Sequence, residues 1–229
     1  ELRYKWQRVA DALQRVGGID VEPDPVVGCD NPDHYRNKAQ YPVAAGAHRL
    51  LTGFYAPRSH RLVEQRDCPL QPVLFKNVLD TVVRWTKKAG VSAYNEADGT
   101  GLLRHIYIRQ GEATGEVMVC LVCTSGKVPQ SKLLVEMLRE TVPGLASVMV
   151  NVNKADTNVV LGDESFTLWG KDHIRDILCG LEFRISPLSF YQVNRRQAER
   201  LYNLAADYAA LTGAETVLDL YCGTGTIGL

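Results

Sequence analysis

The strongest constraint on the fold lies near the C-terminal end. Residues 215–220 read as an apolar strand, followed by the turn Tyr221-Cys222-Gly223-Thr224-Gly225 and the opening of a helix at Thr226-Ile227-Gly228-Leu229. A parallel strand of this kind needs hydrogen-bonding neighbours along both edges and apolar cover on both faces. The pattern therefore predicts the first strand of an α/β sheet whose remainder lies beyond residue 229. At the other end the chain opens without Met inside an amphipathic helix, with Trp6, Val9, Leu13 and Val16 at helical spacing and Gly17-Gly18 as its stop. Both ends read as cut.

Glycines in such a turn let backbone approach a ligand without an intervening Cβ, and the C-terminal end of a strand in an open α/β sheet is where ligands bind. Several ligands fit that description. Gly223, Gly225 and Gly228 give a literal G-x-G-x-x-G, the dinucleotide pattern of a nicotinamide- or flavin-linked oxidoreductase. Asp219 at the strand end suits an amine-bearing ligand better than a pyrophosphate. A phosphate-binding P-loop is excluded, because no Gly-Lys-Ser/Thr follows. A simple strand-to-helix turn is the plainest alternative.

The rest of the chain reads as alternating elements. Helices are predicted over residues 71–88, with Gly90 as a C-terminal cap, over 131–140, and over 194–211, with Ala198, Leu201, Tyr202, Ala205 and Tyr208 on one face. Strands are predicted over 102–109 and 116–123, at Val148, Val150 and Val152 as a half-buried strand, and over 166–169, 174–179 and 181–185. Short strands with turns at Ala45-Gly46 and Ala56-Pro57 fill residues 35–63. The fold class that results is a mixed α+β central domain over residues 31–180. It is preceded by an N-terminal helix and connector (1–30) that packs on a catalytic domain, and followed by the start of an α/β domain (181–229) truncated after its first strand.

Of the 229 residues 45% are hydrophobic and 23% charged, a globular balance. No apolar run reaches the roughly 18 residues of a membrane helix, and the first residues do not resemble a signal peptide. The formal net charge is zero, so function must be sought in its distribution. Between residues 34 and 66, Arg36, Lys38, Arg49, Arg58, Arg61 and Arg66 face a single acid, Glu64. That asymmetry fits a phosphate-facing patch; a solvated loop with acids opposite it in space fits equally. The six cysteines are scattered through a chain able to build a core, which points to a reducing, cytoplasmic compartment. Cys120 and Cys123 form a C-x-x-C, but on a strand they point to opposite faces and read as packing.

Four segments in order resemble the RNA uracil-5 methyltransferase family. Asp219-Leu220-Tyr221-Cys222-Gly223-Thr224-Gly225-Thr226 is similar to that family's version of the class I methyltransferase cofactor motif. Ser186-Pro187-Leu188-Ser189-Phe190-Tyr191-Gln192-Val193-Asn194 resembles its Phe-x-Gln-x-Asn motif, one helix earlier. Tyr35-Arg36-Asn37-Lys38 and Leu103-Arg104-His105-Ile106 are similar to segments of its central RNA-binding domain. The resemblance implies a class I methyltransferase fold and S-adenosyl-L-methionine as cofactor. Gln192 then lies near cofactor and target base, and Asp219, Tyr221, Gly223, Gly225 and Thr226 line the cofactor turn, although many relatives carry Asn where Thr226 stands. For Gln192 the alternative is a cap on the following helix, and for Tyr221 it is core packing. Arg36, Lys38, Arg49, Arg58 and Arg61 become RNA contacts.

The implied reaction is methylation of carbon 5 of a uridine in 23S ribosomal RNA, with transfer RNA as the alternative substrate. A cysteine thiolate adds to carbon 6 and a glutamate removes the carbon 5 proton. In relatives both follow the glycine turn by some distance, so no catalytic residue is expected in this chain; Cys222, in the turn itself, is not the nucleophile. Arg66-Asp67-Cys68-Pro69-Leu70 resembles the context of the fourth ligand of a [4Fe–4S] cluster found in bacterial relatives, whose first three cysteines are then expected just upstream of Glu1. The full-length protein is expected to be a monomer. A non-catalytic RNA-binding module is the remaining alternative of another class.

Overall fold

A computed structural model describes residues 1–155, 158–223, 225 and 226. The described structure falls into two compact units, Glu1–Pro32 and Asp33–Leu229. In the first, α1 (Leu2–Asp11) continues as a π-helical turn over Ala12–Val16, and the helix stops at Gly17 and Gly18 as expected. Its helices bury no residue. The connector returns to the helix through the Trp6 indole, which donates to the Pro23 carbonyl at 2.8 Å.

The second unit is built on one seven-stranded sheet. Its strands are β1 (Lys38–Ala45), β2 (Leu50–Tyr55), β3 (Leu62–Glu64), β4 (Leu103–Gln110), β5 (Val117–Cys123), β6 (Leu145–Val152) and β7 (Glu164–Gly170), in the spatial order β3-β2-β1-β4-β5-β6-β7. Among the strand pairs of the described residues only β5–β6 is parallel, and α3 (Ser131–Thr141) makes the crossover that a parallel pair requires. The long helix α2 (Leu74–Ala89) ends at Gly90 in the left-handed conformation (φ 66°), as the sequence predicts.

The first sheet face takes Tyr41 and Val43 from β1, Ile106 and Ile108 from β4, and Val117, Val119 and Leu121 from β5. Against them pack Phe75, Val78, Leu79, Val82 and Trp85 of α2 and Leu134 and Leu138 of α3. The second face is covered over part of its area by a hairpin of β8 (Ile174–Leu178) and β9 (Leu181–Ile185). There Ile174, Leu178, Phe183 and Ile185 pack on Tyr107, Met118, Cys120 and Met149. Cys179 and Gly180 make the hairpin turn, both at positive φ. Cys123 lies in the first core and Cys120 in the second, on opposite faces as expected, and burial pushes both thiols up to about 12. Two covered faces also explain why β6 is buried from Ser147 to Val152 rather than half-buried.

Beyond the hairpin, α4 (Arg195–Ala209) forms as predicted, but its expected buried face does not: Ala198 is buried, while Leu201 and Tyr208 are exposed. The predicted strand over residues 215–220 is also corrected. Those residues form no strand, and Val217, Leu218 and Leu220 are exposed. A strand is a property of a pair, and among the described residues nothing lies alongside to receive these backbone groups. The helix opening expected at residues 226–229 lies, apart from Thr226, outside the described residues, as do Thr224 and Gly228 of the glycine patterns. Among the described residues no helix is long and apolar enough to cross a membrane.

Candidate functional site

The second sheet face leads to the site. On β4, His105, Tyr107 and Arg109 alternate away from the first core, and their partners on β1 are Pro42, Gln40 and Lys38. The loop of residues 186–194, which carries Gln192, lies over the Arg109 end. Arg109 is fully buried, and its Nη1 donates to the carbonyls of Ser186 (2.8 Å) and Ser189 (3.0 Å). The Tyr107 hydroxyl donates to the Pro187 carbonyl at 3.1 Å. Tyr191 is anchored by donation from its hydroxyl to Asp176 of β8 at 3.1 Å. Asn37, just before β1, binds the loop twice: its backbone N–H donates to the Val193 carbonyl (2.9 Å) and its side-chain amide to the Gln192 carbonyl (3.0 Å). Five hydrogen bonds from Asn37, Tyr107 and Arg109 thus fix the backbone of the Gln192 loop, while the Gln192 side chain makes no hydrogen bond among the described residues. The cap of α4 is Asn194, whose Oδ1 accepts from Gln197 N at 3.2 Å. Gln192 is therefore free of the capping role.

This anchoring brings two of the expected RNA-contacting cations to Gln192, since Arg36 and Lys38 flank Asn37. Lys38 sits opposite Arg109 in the β1–β4 register. Burial, then Arg109, then Arg36 hold the Lys38 ammonium below its ordinary value, and burial likewise lowers Arg109. Arg109 has no acid beside it, and its Nε and Nη2 are buried without hydrogen-bond partners among the described residues. The remaining cations separate. Arg49 pairs with Glu64 at 3.0 Å, and Arg66 with Glu64 and Asp80. Arg58 and Arg61 lie on the exposed β2–β3 turn and make no ion pair among the described residues.

The cofactor-turn residues form a second group. Gly223 and Gly225 both have positive φ (54° and 80°), and Gly225 N–H donates to the Cys222 carbonyl at 2.7 Å. One oxygen of Asp219 accepts from Tyr221 N–H at 3.2 Å; the other is buried with no partner among the described residues. A carboxylate oxygen in want of a donor beside open backbone fits a ligand carrying an amine or hydroxyl. The turn touches α4 where Thr226 Oγ1 meets the Tyr202 hydroxyl at 3.3 Å. Tyr221 is 95% exposed, so core packing is not its role in this structure. No described contact joins Gln192 to this turn.

Cys68 is half-buried and unbonded, and no three His, Cys, Asp or Glu side chains among the described residues could together hold a metal. Four thiolates hold an iron–sulfur cluster, and among the described residues no others join Cys68. Asn37, Tyr107 and Arg109 were missed as site residues. The signal for Arg109 was present: a cation on the same strand face as Tyr107, where β4 is flanked by apolar neighbours.

No family model matches the chain. Its relatives are nonetheless clear. A protein of Clostridium tetani named an RNA methyltransferase is 46% identical over 229 residues, covering 100% of this chain and 50% of that protein. Another so named, from Halalkalibacterium halodurans, is 42% identical over 230 residues with the same coverage. Among solved structures, the tRNA (uracil-54, C5)-methyltransferase of Pyrococcus abyssi, in complex with S-adenosyl-L-homocysteine, matches 100% of this chain and 52% of its own, with a TM-score of 0.78 and 26% identity. Mixed sheet and helices follow that methyltransferase fold across the whole chain. The chain thus spans about half the length of these proteins, and along its whole length it is similar to RNA methyltransferases.

Proposed function

We propose that the protein carrying this chain transfers a methyl group from S-adenosylmethionine to carbon 5 of a uridine in RNA, and that this chain supplies the RNA-reading surface and the opening of the cofactor site. The observation that carries the reading is the anchored Gln192 loop beside Arg36 and Lys38. A side chain able to donate and accept at once is held by its backbone, with cations at hand for phosphate. Asp219, Tyr221, Gly223, Gly225 and Thr226 would hold the cofactor, which supplies the methyl group. The division of the chain at residues 180/181 stays a proposal; β8 and β9 straddle it as one hairpin.

Ribosomal 23S RNA is the substrate we favour. Transfer RNA is the alternative, and the Pyrococcus protein's name supports it equally. An iron–sulfur cluster through Cys68 would need three thiolates that the described residues do not bring to it. A cytoplasmic monomer is the working expectation. Deleting the gene from its host and mapping 5-methyluridine by mass spectrometry tests the reading. Loss from one 23S fragment is expected, loss from transfer RNA selects the alternative, and an unchanged methylation pattern overturns methyl transfer to uridine.

A further inference from the structure

The second sheet face is not covered to its end. Past Tyr107 the hairpin stops, and a cleft of about 630 Å³ opens, lined by Gln40 and Pro42 of β1, Tyr55 of β2, Arg58 and His60 of the following turn, and His105 of β4. A second hollow of about 480 Å³ shares Tyr55, His60 and His105, which makes the Tyr55–His60 pair a wall between the two. The Tyr55 and His60 rings are stacked, 5.2 Å apart and 13° from parallel. His60 Nδ1 is 2.6 Å from a Glu96 carboxylate oxygen, which fixes the imidazole and occupies the acid nearest the cleft.

Two cations line this cleft, Arg58 and Arg104, and the backbone turn that carries Arg58 is closed. Arg58 adopts φ 56°, a left-handed conformation unusual for a side-chain-bearing residue. The turn around it is closed by Ala56 N–H to the Arg61 carbonyl (3.0 Å) and by the Ser59 backbone and hydroxyl to the Ala56 carbonyl (3.1 and 3.0 Å). Arg104 is committed elsewhere: its Nη1 donates to the Asn153 and Ala155 carbonyls and its guanidinium lies 4.6 Å from the Tyr94 ring. A β-bulge at Arg104 turns His105 onto the cleft face. His105 Nδ1 is buried and unpartnered among the described residues, and Gln40 adds an amide.

We infer that this cleft is a docking site for one unpaired nucleotide of the RNA substrate, its base against the Tyr55–His60 wall and its phosphate on Arg58. Stacked aromatics beside an exposed guanidinium suit single-stranded RNA, because every base offers a π-face and every linkage a negative charge. Gln40 and the His105 ring line the cleft beside this wall, and the Gln40 amide can pair with a base edge. The cleft shares its sheet face with the Gln192 loop. From His105 to Arg109 is four residues of one strand, about 13 Å at strand rise, so a nucleotide held here and one at Gln192 belong to the same short stretch of chain. The inference rests on the RNA reading of the Gln192 site and extends it to a second, non-reacting nucleotide.

The test is binding of a fluorescein-labelled, uridine-rich octaribonucleotide to the full chain, followed by photocrosslinking with 5-iodouridine in the same oligonucleotide. Tyr55→Ala is expected to weaken binding about tenfold, and Tyr55→Phe to retain it. Arg58→Ala should weaken it several-fold and lower the slope of log affinity against log salt by about one. Lys87→Ala, on α2 across the sheet, should bind as wild type. The crosslink should map to Tyr55 or His60, and a duplex of the same sequence should bind more weakly. Wild-type affinity in both Tyr55→Ala and Arg58→Ala, crosslinks confined to other surfaces, or no saturable binding by the wild-type chain would each overturn the site. Loss of 5-methyluridine on gene deletion with a Tyr55-independent affinity sinks the cleft and leaves the methyl-transfer reading intact. The converse pair of results sinks methyl transfer and leaves the cleft.

Discussion

Strand β5, Val-Met-Val-Cys-Leu-Val-Cys, is buried at every residue, whereas Val217, Leu218 and Leu220 stand 61%, 78% and 73% exposed. The two segments are alike in apolar character and opposite in outcome. The difference lies in their neighbours. β5 runs between β4 and β6, with α2 and α3 on one side and the β8–β9 hairpin on the other. Residues 215–220 follow α4, whose own Leu201 and Tyr208 are exposed, and find no pairing edge among the described residues. A strand propensity is therefore a conditional statement: it says what a segment does once a sheet is there to accept it.

Four measurements break or sharpen this contrast. The largest effect is expected from Leu121→Asp in β5. A carboxylate placed in a fully buried site with no partner should cost at least about 4 kcal/mol, and urea denaturation should show the sheet unfolded or close to it. If Leu121→Asp folds with near wild-type stability, the sheet is not the rigid half of the molecule.

Next comes pH. Burial, and then the neighbouring Arg104, push the His105 imidazole down to about 4. An unfolded histidine near 6.5 binds a proton that the folded one refuses, so stability rises with pH across this window. It should be fully present above about 6.5 and fall as pH drops toward 4, by up to about 3 kcal/mol. The C-terminal region answers in a different window. Hydrogen bonds from the Thr212 hydroxyl, then from backbone N–H groups, hold Glu215 down to about 2, so its turn stays intact above about 4.5 and loosens only as pH falls toward 2. Thermal unfolding from pH 7 to 4 should shift the sheet, and His105→Phe should flatten that shift. An identical pH profile in His105→Phe would discard His105 as its source.

Asn194→Ala removes the cap of α4 and should cost about 1 kcal/mol. It should be seen as faster amide exchange in the first turn of α4 with β4–β6 unaffected. Faster exchange throughout the sheet would mean that the two regions unfold together. The smallest effect belongs to Leu218→Asp. At an exposed site it should change stability by less than about 0.5 kcal/mol, and a loss comparable to that of Leu121→Asp would show that residues 215–220 are packed after all.

Much of the fold was legible in the sequence. Apolar runs bounded by turn residues located β4, β5 and the β8–β9 hairpin, and Gly90 marked the end of α2, because in each case the signal is local and the tertiary setting agrees with it. What alternation could not say was how many faces of β6 would be covered, since that depends on a hairpin 22 residues further along the chain. The candidate site was legible as motifs and illegible as geometry. Gln192, Arg36 and Lys38 could be singled out, but not that Asn37 joins them across |i−j| of 155 residues. Arg58 and Arg61 read as members of one basic stretch with Arg49 and Arg66. Only the folded β2–β3 hairpin and α2 show that the last two are spent on Glu64 and Asp80.

The uncompensated Arg109 has a consequence for ionic strength. Mobile ions shield exposed charges beyond about 8 Å in physiological salt, but they do not enter a sealed interior. Arg58 and Arg61, on the surface, will fade as attractants when salt is raised. The field of Arg109 reaches the Gln192 loop through protein rather than through electrolyte, so it persists. The protein thus holds one salt-sensitive and one salt-proof source of positive potential on a single sheet face, the first suited to gathering a polyanion and the second to orienting whatever has already arrived.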